Sequence, residues 1–271
     1  MESLILGLLA ETSIHPGAGR SLGVIDLPVS REVPTGYPVI VGSSLKGSLR
    51  DALEQQLGDK DHPSVRAVFG NQEHAGDVLV SDARLLLLPV RSLAQASRWV
   101  TCPQVIERYA RDLRRAGRTQ LPAIPTVAKG SALAYGQQDL FLEERLFNVV
   151  GQPDQSLVEM VNRLITAEEV RQRLSQRLVV LSDDDFAWFC QFGLPVQARN
   201  KLVDGKKSEN LWYEETLPPD TVMYALLLSG APESLSAVEN LVAENRYLQV
   251  GGNATVGQGW FAVTADRGGD Q

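Results

Sequence analysis

The sequence predicts an α+β fold in one body. Three observations point there. Short apolar runs and amphipathic stretches alternate along the chain, but without the strict βαβ period of a parallel sheet. No linker cuts the 271 residues into two equal domains. The 44% hydrophobic content suffices for one large core or two modest ones.

Residues 3–10, Ser-Leu-Ile-Leu-Gly-Leu-Leu-Ala, are too short and too continuously apolar for a surface helix and read as a buried strand. Residues 12–42 are irregular, with Pro16, Gly17, Gly19, Gly23, Pro28, Pro34, Gly36, Pro38 and Gly42. Loops this long are usually functional or disordered. Val24, Ile25, Val29, Val39, Ile40 and Val41 between the turns predict an ordered loop packed on a body. Leu45, Leu49, Leu53 and Leu57 predict a helix over 43–57, capped by Ser43 or Ser44 and ended by Gly58. Residues 77–90 read as two strands around Ser81-Asp82-Ala83. A helix is expected over 103–116, with Pro103 near its start and Gly117 after its end. Residues 120–138 look like a loop, 139–149 a strand, 155–175 a helix and 179–181 a short strand. Ser182-Asp183-Asp184-Asp185 opens a helix through Cys190. Asp204-Gly205 between extended runs signals a hairpin. A helix at 232–244, strands at 247–250 and 259–264 with a glycine-rich turn between them, and a frayed tail complete the chain.

Charge and cysteine usage narrow the function classes. With 26 Lys+Arg against 33 Asp+Glu the net charge is −7, which argues against an autonomous nucleic-acid binder. The charge is segregated, however. Residues 91–120 hold seven arginines against Glu107 and Asp112. Two cysteines, Cys102 and Cys190, make no disulfide framework, so a reducing, cytoplasmic setting is expected. No apolar run is long enough to span a bilayer, and the first residues lack a basic, secretory-type start.

Four segments have residue types that do chemistry. Gly42-Ser43-Ser44-Leu45-Lys46-Gly47-Ser48-Leu49-Arg50 enters a helix whose first amides suit a phosphate, with Lys46 and Arg50 four apart; the spacing is not a Walker motif. It reads equally as an ordinary amphipathic helix with exposed cations. Gly251-Gly252-Asn253-Ala254-Thr255-Val256-Gly257-Gln258-Gly259 lets backbone amides approach a ligand closely, or simply turns between two strands. In the long loop, Asp26 suits a general base, a ligand to a divalent cation or a turn cap, and His15 a base or a plain loop residue. Trp212-Tyr213-Glu214-Glu215 places acids beside aromatics, for acid/base work or as core plus solvated face. Asp183-Asp184-Asp185 suits a metal or the helix dipole. No Cys/His spacing suits zinc, and no G-x-S-x-G elbow is present.

In order along the chain, His15-Pro16-Gly17, Gly23-Val24-Ile25-Asp26-Leu27-Pro28-Val29-Ser30-Arg31-Glu32, Gly36-Tyr37-Pro38-Val39-Ile40, the Gly42 helix start, Pro89-Val90-Arg91-Ser92, Trp99-Val100-Thr101-Cys102-Pro103 and the terminal glycine-rich segment resemble RAMP proteins. The resemblance is to the repeated backbone subunits of type III-B CRISPR (Cmr) effector complexes and spans residues 4–260. It implies a modified RRM/ferredoxin-like palm (1–193 and 213–265) with finger insertions, and a thumb hairpin at about 194–212, all in a single RAMP domain over 1–271. It implies partners too: guide RNA, single-stranded target RNA, further copies of the chain head to tail, and other subunits of the complex, with no membrane. Target RNA cleavage maps onto Asp26, with His15, Tyr213 and Glu214 as catalytic neighbours and a divalent cation, Mg²⁺ or else Mn²⁺, at Asp26. RNA contacts map onto Arg31, Ser43, Ser44, Lys46, Arg50, Arg91, Arg199, Lys201, Gly251, Gly252, Asn253, Thr255 and Gly257. The alternative within the same family is a scaffold that binds guide RNA without cutting. Outside it, a small-molecule enzyme would use the glycine-rich loop for a phosphate.

Overall fold

A computed structural model describes residues 1–93, 95–136, 139–203 and 207–267. The first strand, β1 (Glu2–Ala10), is buried from Leu4 onward. After the long loop come β2 (Val39–Ile40) and α1 (Gly42–Leu57), which buries Leu45, Leu49 and Leu53 as one stripe. The expected serine cap is absent. Val41 is the N-cap, and Asp82 instead accepts from the Gly42 amide at 2.7 Å. α2 (Pro63–Phe69), β3 (Val78–Val80), β4 (Ala83–Arg91) and β5 (Ser97–Thr101) precede α3 (Pro103–Arg115), which starts on its proline.

Three sequence expectations for the middle of the chain need correction. The stretch 120–138 contains a strand, β6 (Ser131–Ala134). The single strand expected at 139–149 is a hairpin, β7 (Asp139–Leu142) and β8 (Arg145–Gly151), turning at Glu143 in the left-handed region. The helix expected over 155–175 is two, α4 (Gln155–Asn162) and α5 (Glu168–Arg177). Between them Leu164 packs so tightly on β1 that a Cβ on Gly7 would lie 2.4 Å from the Leu164 carbonyl oxygen. β9 (Leu178–Leu181) leads to α6 (Asp183–Phe192), whose Ser182 Oγ accepts from the Asp185 amide. β10 (Val196–Val203) and β11 (Lys207–Glu215) form a separate antiparallel hairpin, whose Asp204-Gly205 turn lies outside the described residues. β12 (Val222–Ser229), α7 (Pro232–Glu244), β13 (Tyr247–Gln249) and β14 (Trp260–Arg267) finish the chain.

The main sheet runs β13-β14-β1-β12-β4-β5-β9-β6-β8-β7. Its nucleus is a β1-α1-β4-β12-α7-β14 unit with the strands side by side as β14-β1-β12-β4, the fourth, first, third and second. That is the ferredoxin-like βαββαβ arrangement. Everything between β4 and β12 is inserted into this palm, including the β10–β11 hairpin. The long loop crosses the palm as an ordered strap: Val29, Val39 and Ile40 are buried, whereas Val24 stands exposed. Among the described residues no helix is long and apolar enough to cross a membrane.

Candidate nucleic-acid interface

Two pockets are tied to the end of β11 by hydrogen bonds. The first is a groove of about 520 Å³ between α1, the start of the long loop and the glycine-rich turn, lined by His15, Gly17, Ser44, Gly47, Ser48, Gly251 and Gly252 among others. Gly251 has φ +94°, and a Cβ there would lie 2.7 Å from the His15 carbonyl oxygen, so only glycine fits. The Gly252 amide donates to that same carbonyl at 3.0 Å. The His15 ring makes a 2.8 Å hydrogen bond from Nδ1 to the Glu215 carbonyl. A carbonyl only accepts, so Nδ1 is the donor of this bond.

The second pocket, about 380 Å³, lies between the long loop and the hairpin and is lined by Arg20, Ser21, Asp26, Lys201, Asn210, Trp212 and Glu214, among others. Asp26 Oδ2 accepts from the Tyr213 amide at 2.8 Å, and Oδ1 has no partner among the described residues. The backbone continues the join: the Leu27 amide donates to the Tyr213 carbonyl, and the Glu215 amide donates to the Leu27 carbonyl. Tyr213, Glu214 and Glu215 thus hold Asp26, the glycine-rich turn and His15 respectively.

Glu214 is the link between the pockets. It is 4% exposed and accepts from Trp212 Nε1 at 2.7 Å, Asn253 Nδ2 at 2.9 Å and Arg199 Nε at 3.2 Å. Burial raises its pKa, but the indole, the amide and the guanidinium outweigh burial and hold it below the ordinary carboxylate value. An ionised, triply bonded carboxylate is a brace, not a proton donor, and the acid role expected for Glu214 is corrected accordingly. Tyr213 reaches Asp26 through its backbone, with its side chain exposed.

The expected RNA contacts separate into three groups. Ser44, Gly251 and Gly252 line the groove, and Lys201 lines the Asp26 pocket while pairing with Glu209 at 2.6 Å. Ser43, Thr255 and Gly257 are exposed beside the groove without lining it, and Lys46 stands half-buried on the neighbouring face of α1. The others are engaged internally. Arg31 donates to the carbonyls of Gly36 (2.9 Å) and Cys190 (2.6 Å) and to Glu215 Oε1 (2.6 Å), so it braces the strap. Arg50 donates to Glu54 and to the Gly70 carbonyl, Arg91 to Glu143, Arg199 to Glu214, and Asn253 to Glu214 and Gln258. Much of the arginine-rich segment is likewise paired, Arg108 with Glu32 in two bonds and Arg115 with Asp112. Asp183 and Asp185 serve α6 and its neighbours, accepting from the Gln104 amide and from Arg145, Gly130 and Ser182.

Sequence reasoning missed Ser48, Gln249, Arg20 and Asn210. Ser48 was legible, one helical turn beyond Ser44. Arg20 and Asn210 meet only through the tertiary fold.

A metal at Asp26 has a thin donor set. Among the described residues no three His, Cys, Asp or Glu side chains form a metal-holding cluster. Asp26 is a single carboxylate with one unengaged oxygen. That falls short of an all-protein cage, but it matches the way Mg²⁺ is commonly held, by one or two carboxylates together with substrate phosphates.

A ferredoxin-like palm with a separate hairpin, and a glycine-lined groove beside it, define a RAMP-type protein. The family model described as the RAMP superfamily matches residues 8–262, and the chain belongs to that superfamily. Among its relatives, the CRISPR system Cmr endoribonuclease Cmr4 of Pyrococcus furiosus is 34% identical, over 97% of this chain and 96% of the relative. The CRISPR system CMR subunit Cmr4 of Saccharolobus solfataricus is 25% identical over 92% of each. The crystal structure of oligomeric Cmr4 from Pyrococcus furiosus superposes with a TM-score of 0.79 at 30% identity, covering all of both chains.

Proposed function

We propose that this chain is the repeated backbone subunit of a type III-B CRISPR ribonucleoprotein, which holds guide RNA along the groove and cleaves complementary target RNA at Asp26. The observation that carries the reading is the join at Tyr213–Glu215, where one strand end fixes both a glycine-lined groove and a carboxylate with a free oxygen. The end-to-end likeness to a relative named an endoribonuclease supports it.

RNA brings its own nucleophile, the 2′-hydroxyl. A-form stacking keeps that oxygen out of line with the leaving 5′-oxygen. A nucleotide displaced against the hairpin base is released from that restraint, so positioning supplies much of the rate. Asp26 Oδ1 then accepts the 2′-hydroxyl proton as the oxygen attacks the adjacent phosphorus. The bond from phosphorus to the 5′-oxygen breaks, leaving a 2′,3′-cyclic phosphate and, after protonation from solvent, a 5′-hydroxyl. Arg20 and Lys201, on the walls of the same pocket, face the phosphate charge. Alternatively, a divalent cation, Mg²⁺ or Mn²⁺, would be held by Asp26 Oδ1 and RNA phosphate oxygens in place of that proton transfer and would neutralise phosphate charge. His15, bonded to Glu215 and lining the groove, positions the loop on the guide side. Sequence choice comes from base pairing, with the protein reading backbone and shape.

The test is Asp26→Asn in the assembled complex. Target cleavage should fall by about 10²–10⁴-fold with guide affinity unchanged, and EDTA should stop wild-type cleavage without releasing the guide. Unchanged cleavage in the variant would leave the chain a guide-binding scaffold, and unchanged cleavage in EDTA would remove the cation.

A further inference from the structure

The long loop carries a tip that the chemistry at Asp26 leaves unused. Residues 21–26 close on themselves. The Ser21 amide donates to the Asp26 carbonyl at 2.8 Å, and the Gly23 amide donates to Ser21 Oγ at 3.0 Å. Below this closure the Ala18 amide donates to the Pro28 carbonyl at 3.1 Å, and the backbone bonds between Leu27 and β11 fix the second stem. The tip is therefore a pinned turn and not a free flap. Both of its stems, through Ser21 and Asp26, are walls of the Asp26 pocket.

On either side of Gly23 the tip shows Leu22, fully exposed, and Val24, 93% exposed. Leu22 is one residue from Ser21 and Val24 two from Asp26, so each stands within roughly 7 Å of chain from a pocket wall. Val29, Val39 and Ile40 of the same loop are buried. Val33, another fully exposed aliphatic of the loop, sits on the Glu32–Gly36 turn and lines neither pocket. A single exposed aliphatic needs no explanation. Two on one pinned turn, at the mouth of a pocket that takes a phosphodiester, are different. A strand whose backbone enters that pocket brings its bases to the tip.

Apolar side chains such as leucine part stacked bases by entering the step between them. In-line attack by the 2′-hydroxyl needs that parting. The opposite wall of the pocket is the hairpin, where Leu211 and Trp212 offer apolar surface to a base that has left the stack. One wall thus pushes and the other receives. We propose that Leu22 and Val24 form a positioning wedge, which enters the target strand at the base step beside the scissile phosphodiester and holds the 2′-hydroxyl over Asp26. The two side chains touch bases and not the reacting atoms. They act by shape and apolarity, so the wedge is indifferent to base identity. The proposal rests on reading Asp26 as the cleavage residue.

The assembled complex carrying Leu22→Ser/Val24→Ser tests it, since both side chains lie outside the core. Single-turnover target cleavage should fall by about 10–10²-fold, the cost of a misplaced reacting group, with guide and target affinity unchanged. Leu22→Met/Val24→Ile, which keeps the apolar bulk, should cleave like the wild type. A target that lacks the base at that step but keeps its 2′-hydroxyl should restore the serine variant to the wild-type rate, because no stacking is left to break. A fluorescent base analogue quenched by stacking, placed at the step and read in complexes that also carry Asp26→Asn, should brighten with the native tip and stay dim with the serine tip. Unchanged cleavage in the serine variant overturns the proposal. So does a loss that the base-free target does not rescue, an equal fluorescence signal with the two tips, or a serine variant that fails to assemble, which would put a protein surface on the tip. Cleavage that survives Asp26→Asn alone would refute the proposed function instead, and the fluorescence comparison would still decide whether the tip unstacks the strand.

Discussion

The groove and the Asp26 pocket are braced by the same strand end but are built from different materials. Among the described residues no lysine or arginine lines the groove; its surface is glycine and serine with Pro16, Ile40, Val41, His15, Gln249 and one acid, Asp51. The Asp26 pocket is lined by Arg20, Lys201, Asp26 and Glu214. The first kind of surface recognises by shape and amide donors and suits a strand held for the life of a complex. The second concentrates charge, as suits a site where a phosphodiester is reorganised. Net acidity need not conflict with the proposed guide binding, because the groove brings a single carboxylate, Asp51, among glycines, serines and backbone.

Substitutions on either side should separate the two regions. The largest expected effect is that of Asp26→Asn, which should remove cleavage and spare guide binding. Gly251→Ala should do the reverse. It forces an L side chain into left-handed backbone and against the His15 carbonyl, a cost of about 2–3 kcal/mol. Guide affinity measured by filter binding should fall tenfold or more, with cleavage per bound complex unchanged. A drop in cleavage of bound complexes would show that the two regions are not separable at this point.

Glu214→Gln should damage both regions because Glu214 joins them. Loss of charge-assisted bonds to Trp212, Asn253 and Arg199 costs about 1.5–2 kcal/mol. The pKa of this carboxylate is depressed in the folded chain. Its contribution is therefore fully present above the unfolded value of about 4.3 and is lost as pH falls through the lower folded value. Urea unfolding of wild type and variant should differ fully at pH 7 and converge only once the pH has fallen below the ordinary carboxylate range. A difference independent of pH would mean that shape, not charge, makes the brace.

How much of this was legible in the sequence depended on distance along the chain. β1, α1, α3, the hairpin and α7 follow from local pattern, because apolar spacing, Pro103 and Gly58 act within a few residues. The break between α4 and α5 was not legible, because its cause is Leu164 against Gly7, more than a hundred residues earlier. In the site, Asp26, His15 and the glycines were visible as residue types in a long loop and a turn. The roles of Arg31 and Glu214 were not. A cation or acid in a loop looks the same in sequence whether it meets solvent or three buried partners.

The smallest predicted effect sharpens the comparison most. Spacing puts Lys46 and Arg50 on one helical face, and each would then subtract from the salt dependence of guide binding. The structure separates them. Arg50 spends its donors on Glu54 and the Gly70 carbonyl, whereas Lys46 has no ion pair among the described residues. Lys46→Gln should lower the slope of log affinity against log salt by about 0.7, the value for one phosphate contact on a single strand. Arg50→Gln should leave the slope unchanged and cost only about 0.3–0.5 kcal/mol of stability from the lost pair on one helix. Equal slope changes for the two would put both side chains on phosphate. The RNA would then run over the outer face of α1 rather than along Ser44, Gly47 and Ser48, and the groove would lose its assigned ligand.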